Sequence, residues 1–283
     1  MRKLLVLDFD KDTISLLSDE SIIVRIEDFQ SLTQIRDFVC QHNSLFAIWM
    51  NFSYSSLSQI QFDETWKEIP IILNVYNIGD ANVIFNIITL LRCFNIRIFF
   101  PASNEENVLS CKLLSSLGVN CALTFPRNEI VSDESLLDLA SWFYMSPVPH
   151  ASIEPFDYIW RNLNQERNID FSTVYLENPY KYLHIDKSLN VALTREHLLN
   201  KEYVGTLQDL NYEELEMNYK KSNYYQHFLD LDNCSKCEAF KICNRRMLTK
   251  LQNCEKVFAE IYEYAELRDQ MEQNNSHQEI CQL

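Results

Sequence analysis

Apolar, β-branched runs recur along the first half of the chain, and each is followed by a segment with helical periodicity. Continuous apolar strands that alternate with amphipathic helices are typical of parallel sheets built from βαβ units. The sequence therefore predicts an α/β fold, either a degenerate partial (βα) barrel or an open parallel sheet. The predicted strands are residues 45–50, 69–75, 96–100 and 120–125, and the predicted helices are residues 80–95, 104–117, 134–145 and 155–165.

The two ends of the chain have different patterns. Short apolar runs at 4–8, 13–17 and 21–26 are separated by acidic turns and precede a helix at 31–41, which predicts a β-rich N-terminal feature over 1–40. The polar, aperiodic stretch 165–170 marks a boundary, so the βα repeats occupy 41–165. We predict a third, smaller domain over 166–283, with short strands at 173–176, 182–185 and 191–194 and a closing helix at 244–273.

Composition narrows the range of functions. Only three of the 283 residues are glycine, and neither a P-loop nor a dinucleotide fingerprint is present, because such loops need glycine to bring backbone amides to a phosphate. The formal charge of −15, with no basic stripe, argues against a nucleic-acid partner. The apolar runs are too short for a signal peptide or a membrane span, which predicts a soluble, cytosolic protein with no membrane partner.

Three of the nine cysteines lie close together in the last fifth of the chain. Cys234, Cys237 and Cys243 are spaced as Cys-x2-Cys-x5-Cys between charged residues, whereas the other six are isolated. In a reducing compartment such a group is expected to be a ligand set rather than a disulfide framework. A Cys-x2-Cys turn lets two thiolates converge on one metal, which predicts a zinc or iron–sulfur site.

A fourth ligand for this site has three candidates. We prefer Cys254, although a straight helix from residue 244 would carry it about 15 Å from the helix start. It can reach the same metal only if the chain turns back before it. Cys281 and His227 are the other candidates.

The stretch from Tyr182 to Met247 resembles a SPASM domain, the C-terminal iron–sulfur module of radical-SAM peptide-modifying enzymes. The likeness consists of the apolar runs at 182–185 and from 191, Gly205 followed by an acidic helix, and the Cys-x2-Cys-x5-Cys spacing. Where the family has further cysteines this chain has Leu210 and Met247. The positions that are kept serve mainly one of the family's two auxiliary clusters, so the resemblance implies a single [4Fe–4S] cluster.

The βα repeats would then be the partial barrel that precedes SPASM in that family. A radical-SAM enzyme needs Cys-x3-Cys-x2-Cys, and this sequence has none, nor the glycine-rich segment that holds S-adenosylmethionine. The resemblance therefore implies a pseudo-radical-SAM protein that does not use S-adenosylmethionine and is not a complete enzyme. It implies an accessory role in ribosomal peptide modification, with a precursor peptide and a peptide-modifying enzyme, such as an ATP-grasp ligase, as partners. A zinc-stabilised interaction protein is the alternative.

A second alternative depends on the acidic segment after the first apolar run. Asp8 and Asp10 match the nucleophile and general acid of haloacid-dehalogenase-type phosphatases, which bind Mg²⁺ through these carboxylates. The match departs at Lys11 and Asp12, and Thr13 comes one place late. An acidic hairpin turn between two strands is the simpler interpretation.

His184 is interpreted as a surface or satisfied core histidine, and His197 as part of a solvated turn.

Parallel α/β sheets bind ligands at the carboxyl ends of their strands. Asn51, residues 74–77 and residues 101–104 follow or close predicted strands, so we expect them to line a surface that can hydrogen-bond a peptide. The exposed edge of the β-rich N-terminal feature is a second candidate, because peptides often add a strand to a sheet.

Overall fold

The computed structural model describes residues 3–17, 20–27, 32, 34, 35, 38, 45–51, 64–75, 81–125, 129–164, 171–209, 211–221 and 253–280. Its strands are β1 (Leu4–Asp8), β2 (Ile22–Ile26), β3 (Leu45–Asn51), β4 (Ile71–Asn74), β5 (Ile96–Pro101), β6 (Asn120–Thr124), β7 (Ile153–Glu154), β8 (Tyr182–Ile185), β9 (Asn190–Ala192) and β10 (Gly205–Thr206). Its helices are α1 (Lys11–Leu16), α2 (Ala81–Cys93), α3 (Glu105–Ser116), α4 (Asp133–Met145), α5 (Phe156–Arg161), α6 (Arg195–Leu199), α7 (Tyr212–Lys221) and α8 (Cys254–Ile280).

The chain divides into two compact units. The first comprises Met1–Phe99 and Tyr175–Asp230, and the second comprises Phe100–Val174 and Leu231–Leu283, so the division falls within strand β5. The predicted division into 1–40, 41–165 and 166–283 stays a prediction.

The first unit is built on a mostly parallel sheet in the strand order β10-β9-β8-β1-β2-β3-β4-β5. Strands β1 to β5 follow one another in chain order and pair in parallel, and β8 pairs in parallel with β1 on its other side. Strands β8, β9 and β10 are joined as antiparallel neighbours. The predicted α/β class with a large, mostly parallel sheet and a C-terminal helix is confirmed.

The two faces of this sheet differ in chemistry. In a pleated sheet, residues in register on neighbouring strands share a face, and alternate residues along a strand share it too. One face is apolar throughout and buried, and it comprises Leu5, Leu7, Ile22, Val24, Ile26, Ile48, Met50, Ile71, Leu73, Ile96, Ile98, Leu183 and Ile185. The other is mixed, and it comprises Leu4, Val6, Asp8, Ile23, Arg25, Ala47, Trp49, Asn51, Ile72, Asn74, Arg97, Phe99, Tyr182 and His184. We call the second the polar face.

The N-terminal segment corrects one prediction. Residues 13–17, predicted as a strand after an acidic hairpin turn, lie mainly in helix α1. Two parallel neighbours such as β1 and β2 cannot be joined by a tight hairpin and need a crossover, which α1 provides. Thr13, Ile14 and Leu17 are the buried residues of this segment, and their spacing of three to four is helical. Because β1 and β2 both have partners on each side, they offer no free edge for strand addition.

The remaining predicted elements agree with the structure apart from their ends. The predicted strand 173–176 is an exception, because Phe171–Thr173 forms a 3-10 turn and no strand follows before β8. Helix α5 is shorter than predicted, and the predicted helix 31–41 lies mostly outside the described residues. The described part of the predicted helix 244–273 belongs to α8, which begins at Cys254.

In the second unit β6 pairs in parallel with β7, and α8 packs on α4 and α5. Helix α8 buries one stripe, formed by Val257, Phe258, Ile261 and Ala265, at the three- and four-residue spacing of an amphipathic helix. Asn104 and Ser132 accept hydrogen bonds from the first turns of α3 and α4, which explains where these helices begin.

Candidate functional site

Most of the predicted metal ligands cannot be placed. Cys234, Cys237, Cys243, His227 and Cys281 lie outside the described residues. Within the described ranges, no group of three or more His, Cys, Asp and Glu side chains is gathered as a metal site would require.

Cys254 is the predicted ligand that can be located. It is half-buried and is the first residue of helix α8. The N-terminal end of a helix favours negative charge, which suits a ligating thiolate. The ligand set itself stays a prediction.

A different group of polar residues meets at the carboxyl end of the polar face. We call Asp8, Arg25, Trp49, Asn51 and Asn74 the polar edge. They come from the four adjacent parallel strands β1 to β4, and the sheet register places Asp8 beside Arg25, Arg25 beside Trp49, and Asn51 beside Asn74. This is the part of a parallel sheet where ligands are usually bound.

Arg25 and Asp8 form an ion pair with unequal exposure. Arg25 Nε donates to Asp8 Oδ1 at 2.9 Å. The side chain of Arg25 is 3% exposed and that of Asp8 is 60% exposed. Burial lowers the pKa of Arg25, and the neighbouring Asp8 partly offsets this. The guanidinium stays charged at neutral pH, because its ordinary pKa lies far above 7.

His184 lies on the other side of Arg25, fully buried on β8. Its Nδ1 is 3.4 Å from Arg25 Nη1 and its Nε2 is 2.9 Å from the carbonyl oxygen of Leu176. A guanidinium can only donate, so Nδ1 accepts and Nε2 carries the proton that is donated to Leu176. Burial, and next the charge of Arg25, lower the pKa of His184 to about 3. Of the two interpretations of His184, a surface or a satisfied core histidine, the structure supports the second.

The residue that accepts from His184 has an unusual backbone. Leu176 has φ 57°, in the left-handed region that favours glycine, while its side chain packs with Val6, Ile23, Ala47 and Tyr182. The conformation is kept because the packing and the hydrogen bond from His184 both hold it.

We expect Leu176→Gly to be more stable than Leu176→Ala by about 0.5–1 kcal/mol. Both variants lose the buried side chain, but only alanine keeps the Cβ that disfavours a positive φ. Urea unfolding of the two variants measures the difference. The same pair of substitutions at Leu183, buried in the regular strand β8, is expected to give the opposite order. Alanine being the more stable residue at both positions would contradict the argument.

A second guanidinium lies near this group. Arg195 is at the start of α6, and its Nη2 atom is 3.8 Å from Glu27 Oε1. The charge of Arg195 contributes to lowering the pKa of both Arg25 and His184, which places it within electrostatic reach of them. Glu27 itself is 75% exposed.

Asn51 and Asn74, two of the residues predicted to line a peptide surface, are brought together. Asn74 Nδ2 donates to Asn51 Oδ1 at 3.0 Å, at the ends of neighbouring strands. Val75 is buried, and residues 76–77 lie outside the described residues. Among residues 101–104, which belong to the second unit, Asn104 is engaged as the cap of α3.

Aromatic side chains continue the polar face beside the asparagines. The ring centroids of Trp49 and Phe99 are 6.3 Å apart, and those of Phe99 and Tyr175 are 6.2 Å apart. The indole Nε1 of Trp49 is buried and has no hydrogen-bond partner among the residues that the structure describes.

The acidic pair of the phosphatase alternative has other partners here. Asp8 accepts from Arg25, and Asp10 Oδ2 accepts from Thr13 Oγ1 at 2.7 Å in the first turn of α1. The Asp-x-Asp phosphatase motif stays a prediction.

His197, predicted to lie in a solvated turn, is instead inside α6 and half-buried.

Sequence reasoning missed Arg25 as a site residue. The signal was present, because Arg25 is the one charged residue inside the apolar run 22–26. A charge inside a strand that is buried on both faces must be paired, and the partner is usually at the end of a neighbouring strand.

The second unit contains a concavity of another kind. A groove of about 430 Å³ lies between α4 and α8, with Asp133, Glu134, Asp138 and Glu260 on its walls and Lys256 among them. Its polar groups are mostly those of a solvated helix surface.

A scan against family models found no match, and searches of curated proteins and of solved structures found none either. In the described parts of the chain, no helix combines the length and the apolar character needed to cross a membrane.

Proposed function

We propose that this chain is a non-radical accessory protein of ribosomal peptide modification, which binds a precursor peptide, or the enzyme that modifies it, at the polar edge. The observation that carries the proposal is the concentration of hydrogen-bonding side chains at the carboxyl ends of β1 to β4, beside an aromatic surface. Amide side chains such as Asn51 and Asn74 can each donate to and accept from a peptide backbone.

The proposal includes one [4Fe–4S] cluster held by Cys234, Cys237 and Cys243, with Cys254 as the fourth ligand. When bound, such a group would stabilise the chain around it, because metal binding and folding are linked at sites of this kind. With no Cys-x3-Cys-x2-Cys in the sequence, the residues present give no place for a cluster that cleaves S-adenosylmethionine.

Peptide binding is expected at a dissociation constant of roughly tens of micromolar, a level typical of weak docking. Titration calorimetry with a precursor peptide encoded beside this chain measures it, and co-purification tests the modifying enzyme. Asn74→Ala is expected to weaken binding about two- to thirteenfold, because one hydrogen bond contributes about 0.5–1.5 kcal/mol.

Asn164→Ala serves as the matched control, because this exposed amide belongs to the second unit and donates to Asp269. Its binding is expected to equal that of the unmodified protein. Absence of any binding, together with failure of peptide and enzyme to co-purify, would contradict the proposal and favour the zinc-stabilised interaction protein or the phosphatase.

A further inference from the structure

The ion pair at the polar edge has one fixed partner and one that can leave. Arg25 is held within the sheet, and its desolvation has already occurred on folding. Asp8 is mostly exposed, and an exposed carboxylate regains full hydration when it moves away from its partner. Replacement of Asp8 by another carboxylate keeps the buried guanidinium paired, which avoids the cost of leaving that charge without a partner.

The other neighbours of Arg25 balance its charge only in part, since the charge of Glu27 favours the guanidinium and that of Arg195 opposes it. His184 accepts from Arg25 as a neutral ring, and its proton is committed to Leu176. Arg195 adds a second positive charge nearby, with Glu27 as a loose and exposed partner. Two guanidiniums are therefore each paired with a mostly exposed carboxylate. An incoming anion can replace one of these carboxylates without leaving a buried charge unpaired.

We propose that the polar edge takes the carboxylate of an acidic peptide side chain, which replaces Asp8 on Arg25. This inference rests on the proposed function, since it names the class of peptide bound at that site. A carboxylate suits the guanidinium because charge-assisted hydrogen bonds of this kind are stronger than neutral ones. Asn51 and Asn74, next along the edge, would hold the backbone of the same peptide.

The experiment uses three short fluorescein-labelled peptides of otherwise identical sequence. The first has a central glutamate and an amidated C-terminus, and the second has glutamine at that position and the same amidated C-terminus. The third has glutamine and a free C-terminal carboxylate. Fluorescence anisotropy with the full chain measures their affinities. The glutamate peptide is expected to bind up to about fivefold more tightly than the glutamine amide, because a pair with an exposed member contributes up to about 1 kcal/mol. If the peptide with the free C-terminal carboxylate binds as tightly as the glutamate peptide, the bound group is the peptide terminus, and the side-chain inference is overturned.

Asp8→Asn supplies the sharper test. Asparagine keeps an acceptor for Arg25 Nε but removes the competing charge, so affinity for the glutamate peptide is expected to rise up to about fivefold. Affinity for the glutamine amide is expected to stay the same. Asp138→Asn, an exposed position on α4, changes the net charge equally and is expected to have no effect.

Arg25→Met is expected to remove the preference for the glutamate peptide over the glutamine peptide. If Arg25→Met does not fold, the affinities of Asp8→Asn still test the inference. An unchanged or weaker affinity of Asp8→Asn for the glutamate peptide, or an equal gain in Asp138→Asn, would overturn the inference. If the glutamate and glutamine peptides bind equally, the inference fails while peptide binding stands. If no peptide binds, including the natural precursor, the proposed function fails as well.

Discussion

Cys237→Ser is expected to remove the bound metal and to destabilise the C-terminal part of the chain. The residue is the second thiol of the Cys-x2-Cys pair, and its loss leaves two ligands from this segment. A thiolate is a far better ligand than a serine hydroxyl for zinc and for iron–sulfur clusters. Structural zinc in small peptides contributes about 10–16 kcal/mol to folding, so the loss of a ligand from such a site has a large effect.

Metal content is measured by elemental analysis and stability by thermal unfolding, both on anaerobically purified protein. Broad absorption near about 400 nm indicates an iron–sulfur cluster, whereas colourless protein with bound zinc favours the alternative. Cys93→Ala is the control, because this exposed thiol ends helix α2 and is expected to leave the metal content unchanged. Equal metal content and equal melting behaviour of Cys237→Ser and the unmodified protein would refute the ligand assignment.

Cys254→Ser extends the same measurement to the fourth ligand. Loss of the cluster in this variant would support Cys254, and retention would favour Cys281 or His227. The position of Cys254 at the beginning of α8 is compatible with ligation, because the helix extends away from it in one direction only.

Lowering the pH from 7 to 5 is expected to destabilise the first unit by about 2 kcal/mol through His184 alone. In the folded protein its pKa is lowered to about 3 from 6.5, chiefly by burial. Below pH 6.5 the unfolded chain therefore binds a proton at this histidine that the folded chain does not bind. The contribution of neutral His184 to the free energy of unfolding is present above pH 6.5, and it is lost progressively as the pH falls from 6.5 towards 3.

The unfolding of the first unit can be followed separately. Of the four tryptophans, Trp49 and Trp66 belong to the first unit, so a Trp142→Phe, Trp160→Phe background confines the fluorescence signal to it. In that background His184→Gln is expected to flatten the pH dependence between 7 and 5. Glutamine can still accept from Arg25 and donate to Leu176, but it does not titrate.

His150→Gln is the matched histidine control, since His150 lies in the second unit beside Trp142 and Phe143. It is expected to keep the pH dependence of the parent. If His184→Gln has the same slope as its parent, the buried neutral histidine is not the source of the acid sensitivity.

The βα repeats could be predicted because their signal is local. Strand β5 and helix α3 each show in a short window the pattern that their burial requires, a continuous apolar run for the strand and a capped periodic segment for the helix. The run 13–17 could not be assigned in the same way, because Thr-Ile-Ser-Leu-Leu fits a strand and a helix equally well. The parallel pairing of β1 with β2, a long-range property, requires the crossover helix.

The sequence by itself determined the class of fold, the scarcity of glycine that excludes phosphate loops, and the cysteine spacing on which the metal prediction depends. Only the tertiary structure decided that Asp8, Arg25 and His184 form one group, because Arg25 and His184 are 159 residues apart along the chain. Their contact depends on the pairing of β8 with β1, and the residue pattern within either strand does not indicate that pairing. The same holds for Asn51 and Asn74, whose hydrogen bond follows from the register of β3 and β4. Local patterns report what each segment buries, whereas a site at the end of a sheet is set by which strands become neighbours.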